Sequence, residues 1–471
     1  MVDHPLLDAW LAAREKGLRP LQIPGHKYRY TGDDAVLGSD RLAPLIRDDV
    51  SLQGGADDNH YSLGVLEESE RLWASSVHAD HARFLVGGSS QGNIAALTAV
   101  GGPGVEVAVD RTSHRSALAG LVVSGSAPVW VQPRLHPEFG LPLGVDPHEL
   151  DALPPGVAAV FVTTPSYVGT LGDVAGLAQH AHAADRVLVV DQAWGAHLFF
   201  MSGSGAFDQG ADIATTSVHK ALMGYTQTAV VAVRGDRVSA DRLDRAVDLT
   251  ATTSPSATLM ASIDATRAVM DAHGDVELER AIGSVAAMRA RLRRVPGLVV
   301  VDDVELGSPC DPLKLTLWLP RTGADGAALA ELLWEQGNGV EAADADSLVM
   351  TMSILDDHEF CLEVAEMLAI LVERQRGEPR PPAPAAHWQV VPEVVVSPRE
   401  AFFASRRRIS LREAVGEVSA EQFCPYPPGV PLLAPGERVT AQIVADIEQA
   451  GRVGRVAYSS DPTLETIEIL T

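Results

Sequence analysis

The tetrapeptide Ser217-Val218-His219-Lys220 contains residue types that suit covalent chemistry on an aldehyde. A lysine amine forms an imine with an aldehyde, provided that the amine loses its proton in a partly desolvated site. A run of small and apolar residues at 228–233 follows the tetrapeptide and predicts a strand. Taken alone, Lys220 is better explained as a surface lysine at a turn, since most lysines are solvated. The case for chemistry therefore depends on the residues upstream.

Between residues 83 and 233, short apolar runs alternate with helical segments. Strands are predicted at 84–86, 105–109, 129–131, 158–162, 187–190 and 229–233. Helices are predicted between them at 91–100, 114–123 and 174–184. Continuous apolar strands separated by helices predict an α/β fold with a mostly parallel sheet covered on both faces. Because ligands of such sheets bind beyond the carboxyl ends of the strands, the residues after each strand are the candidates for a site.

A loop of glycine and serine at 87–93 follows the first predicted strand and leads into a helix. Backbone N–H groups, hydroxyls and the positive end of the helix dipole together suit a phosphate. The loop matches neither the Walker pattern nor the dinucleotide fingerprint. A plain turn with a serine N-cap explains it equally well. Under the first interpretation Ser89, Ser90 and Gln91 are phosphate-binding candidates.

Two further strand ends carry residues that suit an aromatic cofactor ring. His114 lies in the loop after the second predicted strand, where an imidazole can stack on a flat ring or move protons. Asp191 directly follows the fifth, where a carboxylate can keep a pyridine nitrogen protonated. Ala193 leaves room for a ring face. Each of these residues taken singly is also explained by capping or turn chemistry.

Taken together, these residues provide a partner for every part of pyridoxal 5'-phosphate. The loop suits the phosphate, His114 the ring face, Asp191 the ring nitrogen, and Lys220, about 30 residues later, the aldehyde carbon. Ser217 and His219 would add hydrogen bonds to the phosphate. The sequence therefore predicts a pyridoxal phosphate site.

The chain of 471 residues is too long for one core, so we expect several domains. We predict an N-terminal arm (1–50), a cofactor-binding large domain (51–285), a small α+β domain (286–375), a Pro-rich linker (376–390) and a C-terminal α+β domain (391–471). No apolar run reaches the length of a membrane span, and the N-terminus lacks the features of a signal peptide.

The net charge of −25 argues against nucleic acid or an anionic membrane as a partner, because both repel an acidic surface. The charge is compatible with a small cationic substrate, although solubility explains it equally well. The three cysteines, Cys310, Cys361 and Cys424, are odd in number and far apart. They fit a reducing cytoplasm and form no metal cluster, and no metal site is evident.

The chain resembles the bacterial ornithine/lysine/arginine decarboxylases of the aspartate-aminotransferase fold (pyridoxal phosphate fold type I), in their short form without an N-terminal receiver-like wing domain. The resemblance covers nearly the whole chain. It is carried by Pro24-Gly25-His26-Lys27, the loop at 88–90 with Asn93, the His114 loop, Asp191-x-Ala193-Trp194, Ser217-x-His219-Lys220, Thr253-Ser254-Pro255-Ser256 and Pro425-Tyr426-Pro427-Pro428-Gly429. General aminotransferases of this fold lack the last motif.

The resemblance implies a role for each matching residue. Lys220 would form the imine with the cofactor, Asp191 would pair with the ring nitrogen, and His114 would stack on the ring. Trp194 would donate its indole N–H to the ring oxygen. The phosphate would be held by Ser89, Ser90, Gln91, Ser217 and His219.

Two more residues gain roles from the resemblance. Ser256 would reach the phosphate from a neighbouring subunit, which implies a homodimer or a higher homo-oligomer with shared active sites. Glu421 is a candidate for the distal cation of the substrate.

The resemblance implies the decarboxylation of a basic L-amino acid to its amine and CO2. An aminotransferase or a decarboxylating oxidase on the same scaffold is the alternative, and a catalytically silent binding homologue is a third. The sequence does not choose among arginine, lysine and ornithine, and it does not define the assembly beyond a dimer.

Overall fold

The computed structural model describes residues 2–16, 24, 26, 46, 48–61, 64–382, 391–425, 429–452 and 457–471. Several predicted features fall partly outside them. These include the N-terminal arm at 1–50, the turn at 24–27, the linker at 376–390, the Pro-rich motif at 425–429 and the C-terminal domain at 391–471.

The helices and strands follow the α/β order that the sequence predicts. The helices are α1 Pro5–Glu15, α2 Val65–Ser76, α3 Gly88–Val100, α4 Ser116–Ser124, α5 Val174–Ala183, α6 Val218–Ala221, α7 Ala240–Asp248, α8 Ala257–Leu292, α9 Asp303–Leu306, α10 Gly326–Glu335, α11 His358–Arg374, α12 Pro398–Phe403 and α13 Ala441–Arg452. The first strands are β1 His81–Leu85, β2 Glu106–Asp110, β3 Ala127–Val131, β4 Pro133–Leu135, β5 Pro142–Val145, β6 Val157–Thr163, β7 Val187–Asp191, β8 Ile213–Ser217 and β9 Ala229–Val233. The remaining strands are β10 Val299–Val301, β11 Lys314–Trp318, β12 Ala342–Ala343, β13 Ser347–Thr351, β14 Arg406–Ser410, β15 Cys424–Pro425, β16 Ala457–Tyr458 and β17 Thr466–Leu470. In the described part of the chain, none of these helices combines the length and apolarity needed to cross a bilayer.

A seven-stranded sheet in the order β1-β9-β8-β7-β6-β2-β3 forms the centre of the molecule. The pairs from β8 to β3 are parallel, whereas β9 is antiparallel to both of its neighbours. All six predicted strands belong to this sheet, which confirms the mostly parallel fold. The prediction missed β8, whose Ala214, Thr215 and Thr216 do not form an apolar run, although all five of its residues are buried.

Alternate side chains of the central strands pack into different cores. In β7, Leu188 and Val190 belong to one cluster of buried side chains and Val189 belongs to another. A strand with both faces buried needs apolar residues at successive positions, and full burial of each Val or Leu contributes about 1.5–3 kcal/mol. The sheet therefore holds the carboxyl ends of its strands rigidly in place.

A smaller antiparallel sheet, β10-β11-β13-β12, lies beyond the long helix α8. This helix has 36 residues and runs across the boundary predicted at residue 285. Val285 and Met288 of the helix join the same buried cluster as Leu315 and Leu317 of β11. The helix thus links the core of the large sheet to that of the small one, and the proposed division into domains stays a prediction.

The C-terminal segment is attached to the large sheet by a buried ion pair. Arg111, just after β2, places its guanidinium 2.6 Å from the carboxylate of Glu437, and both side chains are at most 2% exposed. Arg111 also donates to the Leu432 carbonyl at 2.9 Å, and Glu437 accepts from the Ala434 N–H at 2.7 Å. Since Arg111 precedes His114 by three residues, this contact places the C-terminal segment beside the candidate site.

Loss of the Glu437 carboxylate should be costly, because it leaves a buried guanidinium without a counter-charge. We expect Glu437→Ala to lower the free energy of unfolding by about 3–5 kcal/mol. Glu393→Ala removes a more exposed partner of Arg438 in the same segment and should cost about 0–1 kcal/mol. Urea unfolding of both variants measures the difference. Equal effects would contradict the anchoring role of Glu437.

Candidate active site

A cavity of about 350 Å³ opens at the carboxyl ends of the central strands. Nine of the residues predicted from the sequence line it together: Ser89, Ser90, His114, Asp191, Ala193, Trp194, Ser217, His219 and Lys220. The start of β12 and the residue before it contribute Ala342 and Glu341 to the wall, and the C-terminal segment contributes Val430. The lining therefore comes from three regions of the chain.

The end of the cavity beside α3 has the composition of an anion site. Helix α3 begins at Gly88, whose φ of +71° favours glycine, and its first turn carries Ser89 and Ser90. Gly92 lets the helix approach β8, since a Cβ there would lie 2.4 Å from the Thr215 methyl carbon. Ser217, at the end of β8, is fully buried, and its hydroxyl has no hydrogen-bond partner among the described residues. A buried hydroxyl without a partner is costly, so a phosphate oxygen suits this position.

Asp191 is a buried carboxylate held by two hydrogen bonds. It accepts from the Asn93 side-chain amide at 2.7 Å and from the Ala193 backbone N–H at 3.0 Å. Burial raises the pKa of Asp191, while the charge of Lys220 and the two hydrogen bonds oppose that rise. A cationic ring nitrogen in the cavity would further favour the ionised form.

A hydrogen-bond network connects Asp191 to His114. Asn93 also donates to the Ser116 hydroxyl at 2.9 Å, and the Ser116 backbone N–H donates to His114 Nδ1 at 3.2 Å. Nδ1 is thus an acceptor, which assigns the proton of the neutral imidazole to Nε2. Burial, with the charges of Lys220 and Arg115, lowers the pKa of His114 to about 4. His114 is therefore neutral near pH 7.

Lys220 follows β8 on the short helix α6, and its amine lies 3.6 Å from the centroid of the Trp194 ring. Burial lowers the pKa of Lys220, while the carboxylates of Asp191 and Glu341 oppose the shift. A lowered pKa increases the fraction of neutral amine, which is the nucleophilic form. The geometry therefore suits the imine chemistry that the sequence predicts for this lysine.

Lys314 is a second buried lysine beside the site, and the sequence reasoning missed it. Its amine lies 3.9 Å from the centroid of the Trp194 ring and donates to the Thr351 hydroxyl at 2.7 Å. Burial lowers the pKa of Lys314 to about 8. The signal in the sequence is a lysine that begins the otherwise uncharged strand β11, in which all five residues are buried.

Other functional candidates also emerge only from the fold. Asn93 appears in the sequence pattern, but its bond to Asp191 and the part of Ser116 require the folded chain. Glu341 lines the cavity from the segment before β12. No motif in the sequence marks Ser116 or Glu341.

Three predicted site residues lie outside the cavity lining of this chain. The Gln91 side chain turns back and accepts the Gly87 N–H at 3.1 Å. Ser256 precedes α8 and pairs with Ser51, so its predicted contact with a neighbouring subunit stays a prediction. The Glu421 carboxylate accepts from Ser460 and from the Glu468 N–H at 2.6–2.9 Å. The structure therefore does not bring these three side chains to the lysine.

The sequence reasoning found no metal site. In the described part of the chain, His148, Asp151 and His180 bring three possible ligand atoms within 4.8 Å of one another at the surface. His180 Nδ1 and Asp151 are hydrogen-bonded there at 2.7 Å. This group lies apart from the cavity lining and takes no part in the candidate site.

The residues of the cavity fit pyridoxal 5'-phosphate. The unpaired Ser217 hydroxyl and the start of α3 suit its phosphate, Asp191 its ring nitrogen, and Lys220 its aldehyde. Ala193, buried and small, leaves space for a flat ring beside the His114 imidazole.

The low pKa of His114 predicts a specific pH dependence of stability in the cofactor-free protein. The folded pKa is about 4 and the unfolded pKa is near 6.5, so the unfolded chain binds more protons between these values. Stability from this group is therefore lost as the pH falls. Relative to His114→Phe, wild type should lose up to about 1.4 kcal/mol per pH unit in this window. Urea unfolding at pH 7, 6 and 5 tests this, and a difference that does not vary with pH would contradict the buried neutral imidazole.

Comparison with known proteins shows which family of proteins this chain resembles. A model of the Orn/Lys/Arg decarboxylase major domain matches residues 5–316, and a model of the C-terminal domain matches residues 383–451. The arginine decarboxylase of Halalkalibacterium halodurans is 30% identical, over 99% of this chain and 97% of that protein. The arginine decarboxylase of Bacillus subtilis (strain 168) is also 30% identical, over 96% and 95%. Lysine decarboxylase A from Pseudomonas aeruginosa has the same fold, with a TM-score of 0.83 and 21% identity over 99% of this chain and 80% of that chain.

Proposed function

The chain belongs to the Orn/Lys/Arg decarboxylase family, and on that premise we propose that it is a pyridoxal 5'-phosphate-dependent arginine decarboxylase. The observation that carries the proposal is a largely buried lysine amine beside a buried carboxylate in a cavity that fits this cofactor. Arginine is favoured over lysine and ornithine because two relatives that are 30% identical to this chain are named arginine decarboxylases. The reaction yields agmatine and CO2.

The cofactor, when bound, supplies an electron sink for the electron pair that remains when the carboxylate leaves as CO2. Ser89, Ser90 and Ser217 bind and orient its phosphate. Asp191 holds the proton on the ring nitrogen, which maintains the positive charge of the sink. The neutral His114 packs against the ring face and excludes water from it.

Proton transfer in this proposal depends on Lys220. Its lowered pKa allows the Nζ atom both to react as a neutral amine and to return a proton to the carbon that has lost CO2. Trp194 contacts Nζ and limits its positions to one side of the cavity. The chain thus determines where the proton is delivered, while the cofactor provides the chemistry.

An aminotransferase or a decarboxylating oxidase is not favoured, because both family models that match this chain, and the two relatives that are 30% identical to it, are of decarboxylases. The proposal also includes a cytoplasmic homodimer. The three free thiols, Cys310, Cys361 and Cys424, agree with a reducing compartment. In this homodimer, Ser256 of one subunit would reach the phosphate in the cavity of the other.

We expect the purified protein with pyridoxal 5'-phosphate to release agmatine and CO2 from arginine in a 1:1 ratio, without oxygen uptake. Lys220→Ala should lower kcat by about 10³-fold or more, since it removes the covalent partner of the cofactor. Lys16→Ala, at an exposed lysine, is the matched control. Amine and CO2 assays with arginine, lysine and ornithine, together with an oxygen electrode, measure these outcomes.

Borohydride reduction followed by peptide mass mapping should find the cofactor on Lys220 alone. Turnover of lysine or ornithine in preference to arginine would overturn the substrate assignment. Oxygen uptake, or a requirement for a keto acid, would overturn the reaction.

A further inference from the structure

Two histidines and an aspartate meet at the surface, away from the cavity of the proposed function. His148 and Asp151 lie on a 3₁₀ helix at Pro147–Ala152, and His180 lies on α5, 29 positions after Asp151. Their three ligand atoms lie within 4.8 Å of one another. No other three His, Cys, Asp or Glu side chains in the described part of the chain have this spacing. The fold therefore assembles a cluster that no local motif marks.

The carboxylate of Asp151 lies between the two imidazoles. One of its oxygens is hydrogen-bonded to His180 Nδ1 at 2.7 Å, and the other lies 3.6 Å from His148 Nδ1. Zn²⁺ binds nitrogen and oxygen ligands at about 2.0–2.2 Å, so two ligands of one ion lie at most about 4.4 Å apart. The His148 side chain is 81% exposed and is free to rotate over the small remaining distance.

Buried contacts hold the backbone that carries these side chains. Arg186, just before β7, donates to the Leu150 carbonyl at 2.7 Å and to the Leu153 carbonyl at 3.1 Å. At the other end of the 3₁₀ helix, the Asp146 carboxylate accepts from the His148 N–H at 3.0 Å. Ligands on a well-held backbone define a site better than ligands on a free loop. The three side chains are therefore oriented before any ion binds.

The charge around the cluster favours a cation. His180 lies in the last turn of α5, where the backbone carbonyls form the negative end of the helix dipole. The hydrogen bond from His180 lowers the pKa of Asp151, which keeps this carboxylate ionised. The net charge of −25 also raises the concentration of divalent cations near the surface.

We propose that His148, Asp151 and His180 bind one divalent transition-metal ion of the zinc class. Such ions prefer imidazole nitrogens combined with a carboxylate, whereas Mg²⁺ and Ca²⁺ prefer oxygen ligands alone. In the hydrogen bond between His180 and Asp151, a proton lies between Nδ1 and the carboxylate. The metal ion would take that place, with the imidazole proton on Nε2, and water would complete the coordination.

The proposed ion would join two segments at the edge of the sheet opposite to the cavity. The 3₁₀ helix leads into β6 and α5 leads into β7, so the cluster lies near the amino ends of these parallel strands. The cavity lies at their carboxyl ends. The ion would therefore stabilise the fold without contact with the substrate, and this inference does not depend on the proposed function.

Calorimetric titration with ZnCl2 tests the proposal on the full chain with bound cofactor, after EDTA and unbound cofactor have been removed. Wild type should bind one Zn²⁺ per chain. His148→Ala, His180→Ala and Asp151→Asn should each weaken binding about 10- to 100-fold, because each removes one of three ligands. His273→Ala, at an exposed histidine of α8, is the matched control and should bind zinc as wild type does.

Two further readouts separate this site from other binders of zinc. Saturating ZnCl2 should raise the Tm of wild type by about 2 °C or more and leave that of the His148→Ala/His180→Ala double variant unchanged. The absorption spectrum of the Co²⁺ form should contain no thiolate charge-transfer band, because Cys310, Cys361 and Cys424 are not ligands in this proposal.

Three results would overturn the proposal. The first is a wild type that binds no zinc, and the second is zinc binding that persists in the double variant. The third is equally tight binding of Mg²⁺, which would indicate only a diffuse acidic surface. Since none of these measurements uses the amino acid substrate, failure of the proposed function would leave them unaffected.

Discussion

The site depends on placing one lysine amine and one carboxylate together where water has little access. Burial raises the pKa of Asp191 in this environment, and the donors Asn93 and Ala193 together with the charge of Lys220 oppose that rise. The same burial lowers the pKa of Lys220. Both pKa shifts follow from desolvation. Any element that closes the cavity therefore also affects the pKa values of Asp191 and Lys220.

Three regions of the chain close the cavity, and each is attached by buried contacts. The large sheet supplies the strand ends, helix α8 connects the four-stranded sheet to them, and the Arg111–Glu437 pair attaches the C-terminal segment. Buried ion pairs contribute little net stability but are costly to break. The pair thus links the position of Val430 in the cavity wall to the loop that carries His114.

A cationic substrate binds best in a cavity with negative charge, whereas the lysines of this site bring positive charge to it. Lys220 and Lys314 both contact Trp194, and the charge of Lys220 lowers the pKa of His114 and of Lys314. The lowered pKa values of the two lysines and the neutral His114 reduce the positive charge that the substrate meets.

The sequence by itself determined the α/β order, the family and most of the residues at the strand ends, because apolar runs and the residues after them are local features. It missed β8, since its threonines are buried by packing on both faces and not by an apolar run. Only the tertiary structure joined Asn93 to Asp191, which lie 98 positions apart, and brought Lys314 and Glu341 to the cavity. It also placed Glu421 and the Gln91 side chain outside the lining. Such placements depend on how the small domain and the C-terminal segment pack against the sheet, and no local pattern of residues encodes that packing.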